Sequence, residues 1–248
     1  MSSKVIKSII LGEYYLIWDV PVSKIDFIPT HVSSIDELLR GGFKFGDVYF
    51  IYGEEKTGKT SLTLTACASA IREDMRPFFI DCSGRIHPER VLQILQSWLV
   101  DPSRLSIKII QSFREQEELI LNLYNSKKIF DLIVLDDFTY QHRIELSRNL
   151  RLDLPTYKKL ALQVAMLYEL ARREKISVII VGQVHDMPEQ QGEKPVAYRI
   201  LSHWARWVVM IRKPAQHYRE MIIEKPKKKG PAYFTISNQG ISQFTELR

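Results

Sequence analysis

The sequence has few of the features that mark secreted proteins, membrane-spanning proteins or proteins with a structural metal site. Only two of its 248 residues are cysteine, Cys67 and Cys82. They are too few for a disulfide framework and have no metal-ligand spacing. No run of about 18 apolar residues occurs, so no transmembrane helix is predicted. The first eleven residues carry two lysines, but their apolar stretch is too short and broken for a signal peptide. These absences predict a cytoplasmic protein with no membrane partner.

The composition is that of an ordinary globular protein. Apolar residues make up 45% of the chain and charged residues 26%, enough of each for a buried core and a charged surface. The formal net charge is +6. A basic balance permits contact with nucleic acid or another anionic surface, and it establishes neither.

Strands and helices alternate along most of the chain. Strands are predicted at residues 47–52, 77–81, 106–110, 132–136 and 177–182, and helices at 34–39, 59–72, 88–99, 113–125 and 155–175. The strands are continuous apolar runs, which is typical of a parallel sheet covered by helices on both faces. Three further strands, at 206–212, 218–224 and 232–237, follow one another closely and predict an antiparallel extension. We expect an α/β domain over residues 30–248, with an extended segment, 1–29, packed on it.

Residues 53–60 match the pattern G-x-x-x-x-G-K-T of a phosphate loop. They follow a predicted strand and open a predicted helix, which is the context that this motif requires. Backbone N–H groups of such a loop converge on phosphate oxygens, and the helix N-terminus adds positive potential. Lys59 is expected to reach the β- and γ-phosphates, and Thr60 to ligate Mg²⁺. The predicted nucleotide-binding residues of this segment are Gly53, Glu54, Glu55, Lys56, Thr57, Gly58, Lys59, Thr60 and Ser61.

A second acidic element completes such a site. Residues 132–136 form a buried apolar strand that ends in Asp136, and Asp137 follows it. In such a site, a carboxylate at the end of a neighbouring buried strand holds the metal, and Asp136 would do so through water. Alone, a strand-terminal aspartate would more often cap the next loop. Together with the phosphate loop, Asp136 and Thr60 predict a Mg²⁺ site for bound ATP.

Beyond these two motifs, the sequence resembles the RecA/RadA recombinases. The resemblance rests on Ser34-Ile35-Asp36-Glu37-Leu38-Leu39 and Gly41-Gly42 ahead of the phosphate loop, on Phe79-Ile80-Asp81, on Pro88-Glu89-Arg90-Val91, on Val181-Gly182-Gln183-Val184 and on Phe234-Thr235-Ile236. It extends over about residues 30–248 and is nearest to archaeal RadA paralogues, which lack the helical N-terminal DNA-binding domain. The resemblance implies a RecA-type P-loop ATPase core.

The resemblance also implies roles for two further residues. Arg90 matches the arginine that lies against adenine in RadA proteins, although a plain surface charge is an equal alternative. Gln183 matches the switch glutamine that senses the γ-phosphate. Lys59 and Gln183 are therefore the expected catalytic residues.

The sequence departs from the family at one catalytic position. Active members end the second strand in Asp-x-Glu-Gly, and that glutamate activates the attacking water. Here the stretch is Asp81-Cys82-Ser83-Gly84. A serine hydroxyl is not ionised near pH 7 without an activating partner, so Ser83 is not expected to act as a base. ATP is then expected to bind and to be hydrolysed weakly or hardly at all, unless Asp81 or Asp137 substitutes.

Two loops that contact DNA in the family carry basic residues here. The first, residues 140–155, has Arg143, Arg148 and Arg151, and the second, 185–199, has Lys194 and Arg199. Arginines on loops can neutralise phosphates, and Tyr140 or His142 could stack on a base. A solvated charged loop is the alternative in both places.

The resemblance therefore predicts a paralogue that assists homologous recombination and DNA repair. It would bind ATP, single-stranded DNA and the main RadA-type recombinase. Residues 1–31 contain no Phe-x-x-Ala peptide of the kind through which RadA proteins polymerise, so long filaments are not expected. Two alternatives stay open at this point. One is an active DNA-dependent ATPase with a substituted base, and the other is a nucleotide-sensing signalling module without a DNA role.

Overall fold

The computed structural model describes residues 26–147, 149–183, 196–227 and 230–245. Most of the predicted N-terminal segment therefore lies outside the described residues. None of the helices in the described ranges has the length and apolar character needed to cross a membrane.

The core is a sheet of nine strands in the order β11-β10-β9-β8-β3-β7-β6-β4-β5. Its members are β3 (Val48–Gly53), β4 (Pro77–Asp81), β5 (Ser106–Ile109), β6 (Leu132–Asp136), β7 (Ser177–Gln183), β8 (Trp207–Arg212), β9 (Arg219–Lys225), β10 (Ala232–Ser237) and β11 (Gly240–Gln243). Six neighbouring strands, β8, β3, β7, β6, β4 and β5, are parallel to one another. Strands β8, β9, β10 and β11 pair antiparallel, each with the next. Two short strands, β1 (Phe27–Ile28) and β2 (Phe43–Lys44), form a separate antiparallel pair.

Helices cover both faces of the sheet. They are α1 (Ser33–Leu39), α2 (Lys59–Arg72), α3 (Pro88–Ser97), α4 (Phe113–Asn125), α5 (Tyr140–Glu145), α6 (Leu150–Glu174) and α7 (Val196–Trp204). Successive residues of the parallel strands alternate between two apolar clusters. Tyr49 and Ile51 of β3 join the cluster that α1, α2 and α3 cover, and Phe50 joins the cluster under α4, α6 and α7. Because side chains alternate along a strand, both faces must be covered, and the predicted α/β fold class is confirmed.

The structure differs from the predicted elements at the C-terminal strands. The strand predicted to begin the antiparallel extension, β8, pairs parallel with β3 and belongs to the parallel part. Strand β11 was not predicted, because its four residues, Gly-Ile-Ser-Gln, contain no apolar run. It pairs with β10, and the N–H of Ile241 donates to the hydroxyl of Thr65 on α2. This hairpin therefore rests on the helix that follows the phosphate loop.

The predicted loop at residues 140–155 was wrong over most of its length. It contains α5 and the first turns of α6, which begins at Leu150 and not at Pro155. The side chain of Asn149 accepts a hydrogen bond from the N–H of Arg151, so a helix cap precedes the proline. Pro155 lies inside the helix, where its missing N–H removes one backbone hydrogen bond without ending the helix.

Candidate nucleotide-binding site

Four strands bring their carboxyl ends together at one edge of the sheet. Gly53 pairs with Gln183 at the ends of β3 and β7, and Asp81 pairs with Asp136 at the ends of β4 and β6. Ligand sites of open parallel sheets lie at such an edge, outside the carboxyl ends of the strands. The predicted phosphate loop and the predicted metal aspartate therefore lie beside each other.

The phosphate loop needs glycine at both of its ends. A Cβ atom on Gly53 would lie 2.1 Å from the carbonyl oxygen of Ile211, which leaves no space for a side chain. Gly58 has a φ of 96°, in the region that favours glycine, and it is the N-cap of α2. The backbone can therefore turn directly from β3 into the N-terminus of a fourteen-residue helix. The N–H groups of that terminus are free to bind an anion.

Lys59 is the first residue of α2, and backbone carbonyl groups of the phosphate loop hold its side chain. The ammonium donates to the carbonyl oxygens of Gly53 at 2.8 Å and of Glu54 at 2.6 Å. Burial lowers the pKa of Lys59, and Asp136 and Asp137 act in the opposite direction. The side chain is therefore a preplaced cation in a partly dehydrated position, where its attraction for phosphate is stronger than in water.

Thr60 and Asp136 form a pair of oxygen ligands. The hydroxyl of Thr60 donates to Oδ2 of Asp136 at 2.6 Å. Burial raises the pKa of Asp136 to about 6, although the Thr60 hydrogen bond lowers it. A divalent cation would stabilise the ionised carboxylate in this buried position. Hydroxyl and carboxylate oxygens are ligands that Mg²⁺ prefers, so the two residues fit the predicted metal.

These groups line one cleft of about 490 Å³. Its lining residues are Glu55, Lys56, Gly58, Lys59, Thr60, Ser61, Arg85, His87, Asp136, Gln183 and Ile236. Gln183 contributes a buried side-chain oxygen that has no hydrogen-bond partner within the described part of the chain. A buried, unpaired amide oxygen is costly unless a ligand or water satisfies it. The position of Gln183 therefore agrees with its predicted contact to bound nucleotide or its water.

Ser83 and Asp81 bind each other next to this cleft. The hydroxyl of Ser83 donates to Oδ1 of Asp81 at 3.0 Å, and Asp81 also accepts hydrogen bonds from the N–H groups of Ser83, Gly84 and Ile86. All of these bonds hold the loop after β4. Asp81 is buried and acts as the cap of that loop. Both of its carboxylate oxygens are therefore occupied by hydrogen bonds within the loop.

Asp137 is engaged as well. Its carboxylate lies 3.0 Å from the guanidinium of Arg143, and it accepts a hydrogen bond from the hydroxyl of Thr139. Arg143 also donates to Thr139. The three side chains attach α5 to the end of β6. Arg143 therefore has a structural partner, and its predicted DNA contact would have to compete with a buried carboxylate.

Arg90, a residue of α3, connects this helix to the β10–β11 turn. Its guanidinium donates to the carbonyl oxygen of Ser237 at 2.7 Å and reaches the hydroxyl of Ser61 at 3.4 Å. Burial lowers the pKa of Arg90. The Ser61 contact places Arg90 beside the phosphate-loop helix, while the Ser237 bond fixes the hairpin. Its predicted contact with adenine stays a prediction.

The predicted DNA-contacting residues of the described part lie on three different helices, α5, α6 and α7. Arg151 is exposed in the first turn of α6, and Arg199 is exposed on α7. Arg148 and Lys194 lie outside the described residues. His142 is fully buried between Phe113 and Tyr157, so in this structure it cannot stack on a base.

Sequence reasoning missed three residues that line the cleft. Arg85 and His87 lie in the loop after β4, and Ile236 lies at the end of β10. The side chain of Ile236 is 2.9 Å from the position that a Cβ atom on Gly58 would take. The first two follow the Ser83 position closely in sequence, which was the available indication. Ile236 comes from a distant strand, and only the fold reveals its position.

A phosphate loop, an adjacent Thr–Asp ligand pair and six parallel strands define a P-loop protein with a RecA-type core. A family model described as Rad51 matches residues 23–244, so the chain belongs to the Rad51 family. The predicted membership of the RecA/RadA recombinases is confirmed.

Archaeal relatives with the description DNA repair and recombination protein RadB match nearly the whole chain. The protein of Thermococcus onnurineus is 31% identical over 86% of this chain and 96% of its own. That of Thermococcus gammatolerans is 30% identical over 88% of this chain and 100% of its own. A solved crystal structure of the RadB recombinase is 28% identical, with a TM-score of 0.72, and covers 88% of this chain and all of its own.

Proposed function

We propose that this protein is an ATP-binding recombinase paralogue that assists homologous recombination and DNA repair. It binds Mg-ATP through the phosphate loop, Thr60 and Asp136, and it hydrolyses ATP weakly or not at all. The relatives named RadB support the role in repair and recombination. The cleft supports nucleotide binding, because a cation, a helix N-terminus and two oxygen ligands face the same space.

Bound Mg²⁺ would neutralise phosphate charge, and the chain's own residues would do the rest. Lys59 would leave its carbonyl partners and bind phosphate oxygens, since charge-assisted bonds to phosphate are stronger than bonds to neutral carbonyls. The side-chain oxygen of Gln183, which has no partner among the described residues, would accept a hydrogen bond from the water next to the terminal phosphate. Arg90 would stay beside the phosphate-loop helix and present the face of its guanidinium to adenine.

The observation that carries the proposed weak hydrolysis is the arrangement of Ser83, Asp81 and Asp137. Ser83 carries no carboxylate, and the two neighbouring carboxylates are committed to hydrogen bonds within the chain. A positioned general base contributes about 10²–10⁴-fold to such a reaction. Without one, the bound nucleotide acts as a determinant of shape and partner binding.

Steady-state ATPase measurements on three proteins test this. We expect wild type and Ser83→Ala to hydrolyse ATP at the same slow rate, with or without single-stranded DNA, because the hydroxyl is not a base. Ser83→Glu restores a carboxylate, and we expect turnover to rise by about 10²-fold. Wild-type turnover as fast as that of an ordinary RadA would instead support the alternative of an active ATPase with a substituted base.

The proposed DNA and protein partners rest on the family and on exposed cations. Single-stranded DNA would be bound by Arg151 and Arg199, which are exposed. Arg148 and Lys194, which lie outside the described residues, would add two further contacts. Gel-shift titrations of the full chain with single-stranded DNA, with and without the main RadA-type recombinase, test both partners. No single-strand binding and no complex with the recombinase would favour the alternative of a nucleotide-sensing module.

A further inference from the structure

The loop that follows β4 places an arginine at the mouth of the nucleotide cleft. Arg85 lines the cavity, and its side chain is 54% exposed. The Asp81 carboxylate accepts hydrogen bonds from the N–H groups of both neighbours of Arg85, which are Gly84 and Ile86. The backbone of Arg85 is therefore held from both sides, and the point from which its side chain leaves the loop is fixed.

An aromatic ring supports the guanidinium of Arg85. Its central carbon lies 4.7 Å from the centre of the Tyr140 ring, within the range of a cation–π contact. Tyr140 is the first residue of α5, and the guanidinium of Arg143 lies 5.8 Å from the centre of the same ring. Arg143 is in turn bound to Asp137, next to the metal aspartate. A stacked guanidinium keeps its planar donor edge free, so Tyr140 positions Arg85 without using its hydrogen bonds.

The carboxylate partner of Arg85 in the structure is a residue of the phosphate loop. Its guanidinium lies 3.6 Å from Glu55, and both side chains are more than half exposed. Exposed ion pairs of this length contribute little, so the pair can exchange for a stronger anion. Lys59 lines the same cleft and already donates to two carbonyl oxygens. Arg85 is thus a further cation in the cleft beside Lys56 and Lys59, and its partner holds it only weakly.

We propose that Arg85 is a nucleotide-selecting residue, which leaves Glu55 and binds the terminal phosphate of ATP while Tyr140 holds its guanidinium in place. The proposal rests on the proposed binding of Mg-ATP. The terminal phosphate of ATP offers more charge and more acceptor oxygens than one carboxylate, and a guanidinium matches that geometry. Because Ser83 is uncharged, no carboxylate at that position competes for Arg85. The contact would favour ATP over ADP and stabilise the bound state rather than hydrolysis.

Calorimetric titration of the full chain with Mg²⁺ and either the non-hydrolysable analogue AMP-PNP or ADP tests the proposal. For Arg85→Ala we expect the affinity for AMP-PNP to fall about 10- to 100-fold, the effect of losing a charged hydrogen bond. The affinity for ADP should change less than about threefold, since ADP lacks the contacted group. Equal losses for both nucleotides, or no loss for either, would overturn the proposal.

Three further variants separate the roles in this cluster. Tyr140→Phe keeps the ring and should bind both nucleotides like wild type, whereas Tyr140→Ala should lose part of the AMP-PNP affinity and little of the ADP affinity. Arg114→Ala is the matched control, because Arg114 is an exposed arginine paired with the exposed Glu118 on α4. Melting temperatures verify that each variant is folded. If the wild type binds neither nucleotide, the proposed function fails and the role of Arg85 with it. Tight wild-type binding with unchanged selectivity in Arg85→Ala refutes the role of Arg85 alone.

Discussion

Among single residues, Lys59 has the largest expected effect on nucleotide binding. It is buried, and its ammonium lies where the helix N-terminus and the phosphate loop meet. Lys59→Ala removes the positive charge that the motif places next to the phosphates. We expect the affinity for Mg-AMP-PNP to fall at least about 100-fold. The fold should be retained, because the ammonium contributes hydrogen bonds to two carbonyl groups and a longer one, 3.5 Å, to the hydroxyl of Thr57. Calorimetry measures the first quantity and circular dichroism the second. Lys159→Ala, on the exposed side of α6, is the control.

His142 makes the stability of the protein depend on pH. Burial lowers its pKa to about 4, and neither ring nitrogen has a hydrogen-bond partner within the described residues. The unfolded chain, with a pKa near the ordinary value of about 6.5, therefore takes up the proton first as the pH falls. The stability due to neutral His142 is present above about pH 6.5 and is lost between about pH 6.5 and 4. Linkage gives a loss of about 2 kcal/mol between pH 7 and 5.

Urea denaturation at pH 7 and at pH 5 measures this loss. His142→Phe keeps a ring against Phe113 and Tyr157 and cannot titrate, so its unfolding free energy should fall less between the two pH values. His203→Phe, at an exposed position on α7, should show the wild-type pH dependence. Identical pH dependence in all three proteins would show that His142 does not titrate as described.

At the scale of elements, α5 depends on the ion pair between Arg143 and Asp137. Asp137 is buried, so Arg143→Ala leaves a carboxylate whose one remaining side-chain partner among the described residues is the Thr139 hydroxyl. We expect the unfolding free energy to fall by about 1–3 kcal/mol. Arg151 is exposed and its backbone N–H, not its side chain, contacts the cap of α6. Arg151→Ala should therefore change stability by less than about 0.5 kcal/mol.

Urea denaturation and single-strand binding, both measured on the two variants, separate structural from binding effects. A loss of DNA affinity in Arg151→Ala without loss of stability would support a direct contact. Unchanged stability in Arg143→Ala would contradict the stabilising role of the ion pair. Arg143 would then again be a candidate for DNA contact.

In the elements that were predicted correctly, particular residues in the sequence mark where the helix or strand begins or ends. Helix α2 begins after Gly58, and α4 begins after Ser112, whose side chain accepts a hydrogen bond from the N–H of Glu115. Strand β6 is an unbroken apolar run that ends in a charge. Such local features fix an element without knowledge of its neighbours. The β1–β2 pair and β11 have only two and four residues, so they depend on partners that are distant in the chain.

In the site, too, local motifs could be predicted from the sequence, whereas contacts between distant segments could not. The phosphate loop and Asp136 follow from motifs, because glycine, lysine and a strand-terminal carboxylate are required at fixed positions. The pairing of Arg143 with Asp137, and of Arg85 with Tyr140, depends on how α5 and the loop after β4 fold against the sheet. For the same reason, the burial of His142 could not be inferred from a polar stretch of sequence.

For the whole molecule, the charge balance predicts how the proposed DNA binding would respond to salt. The net charge is +6, and the phosphate contacts would release counterions from the single strand. The logarithm of the affinity should fall linearly with the logarithm of salt concentration, with a slope of about −0.7 for each phosphate contacted. Filter-binding titrations at several salt concentrations measure the slope, and Arg151→Ala should reduce it by about 0.7 if Arg151 makes one contact. A salt-independent affinity would exclude a phosphate-binding mode.

The pairing of β3 also governs when the protein can become functional during its synthesis. Strand β3 leads into the phosphate loop, yet its two neighbours, β7 and β8, are formed by residues 177–183 and 207–212. A ribosome must therefore translate most of the chain before this strand has either partner. Until then the nascent chain presents two unpaired strand edges, which are prone to mispairing and are surfaces that chaperones cover. The first functional motif to be translated is thus among the last to reach its final geometry.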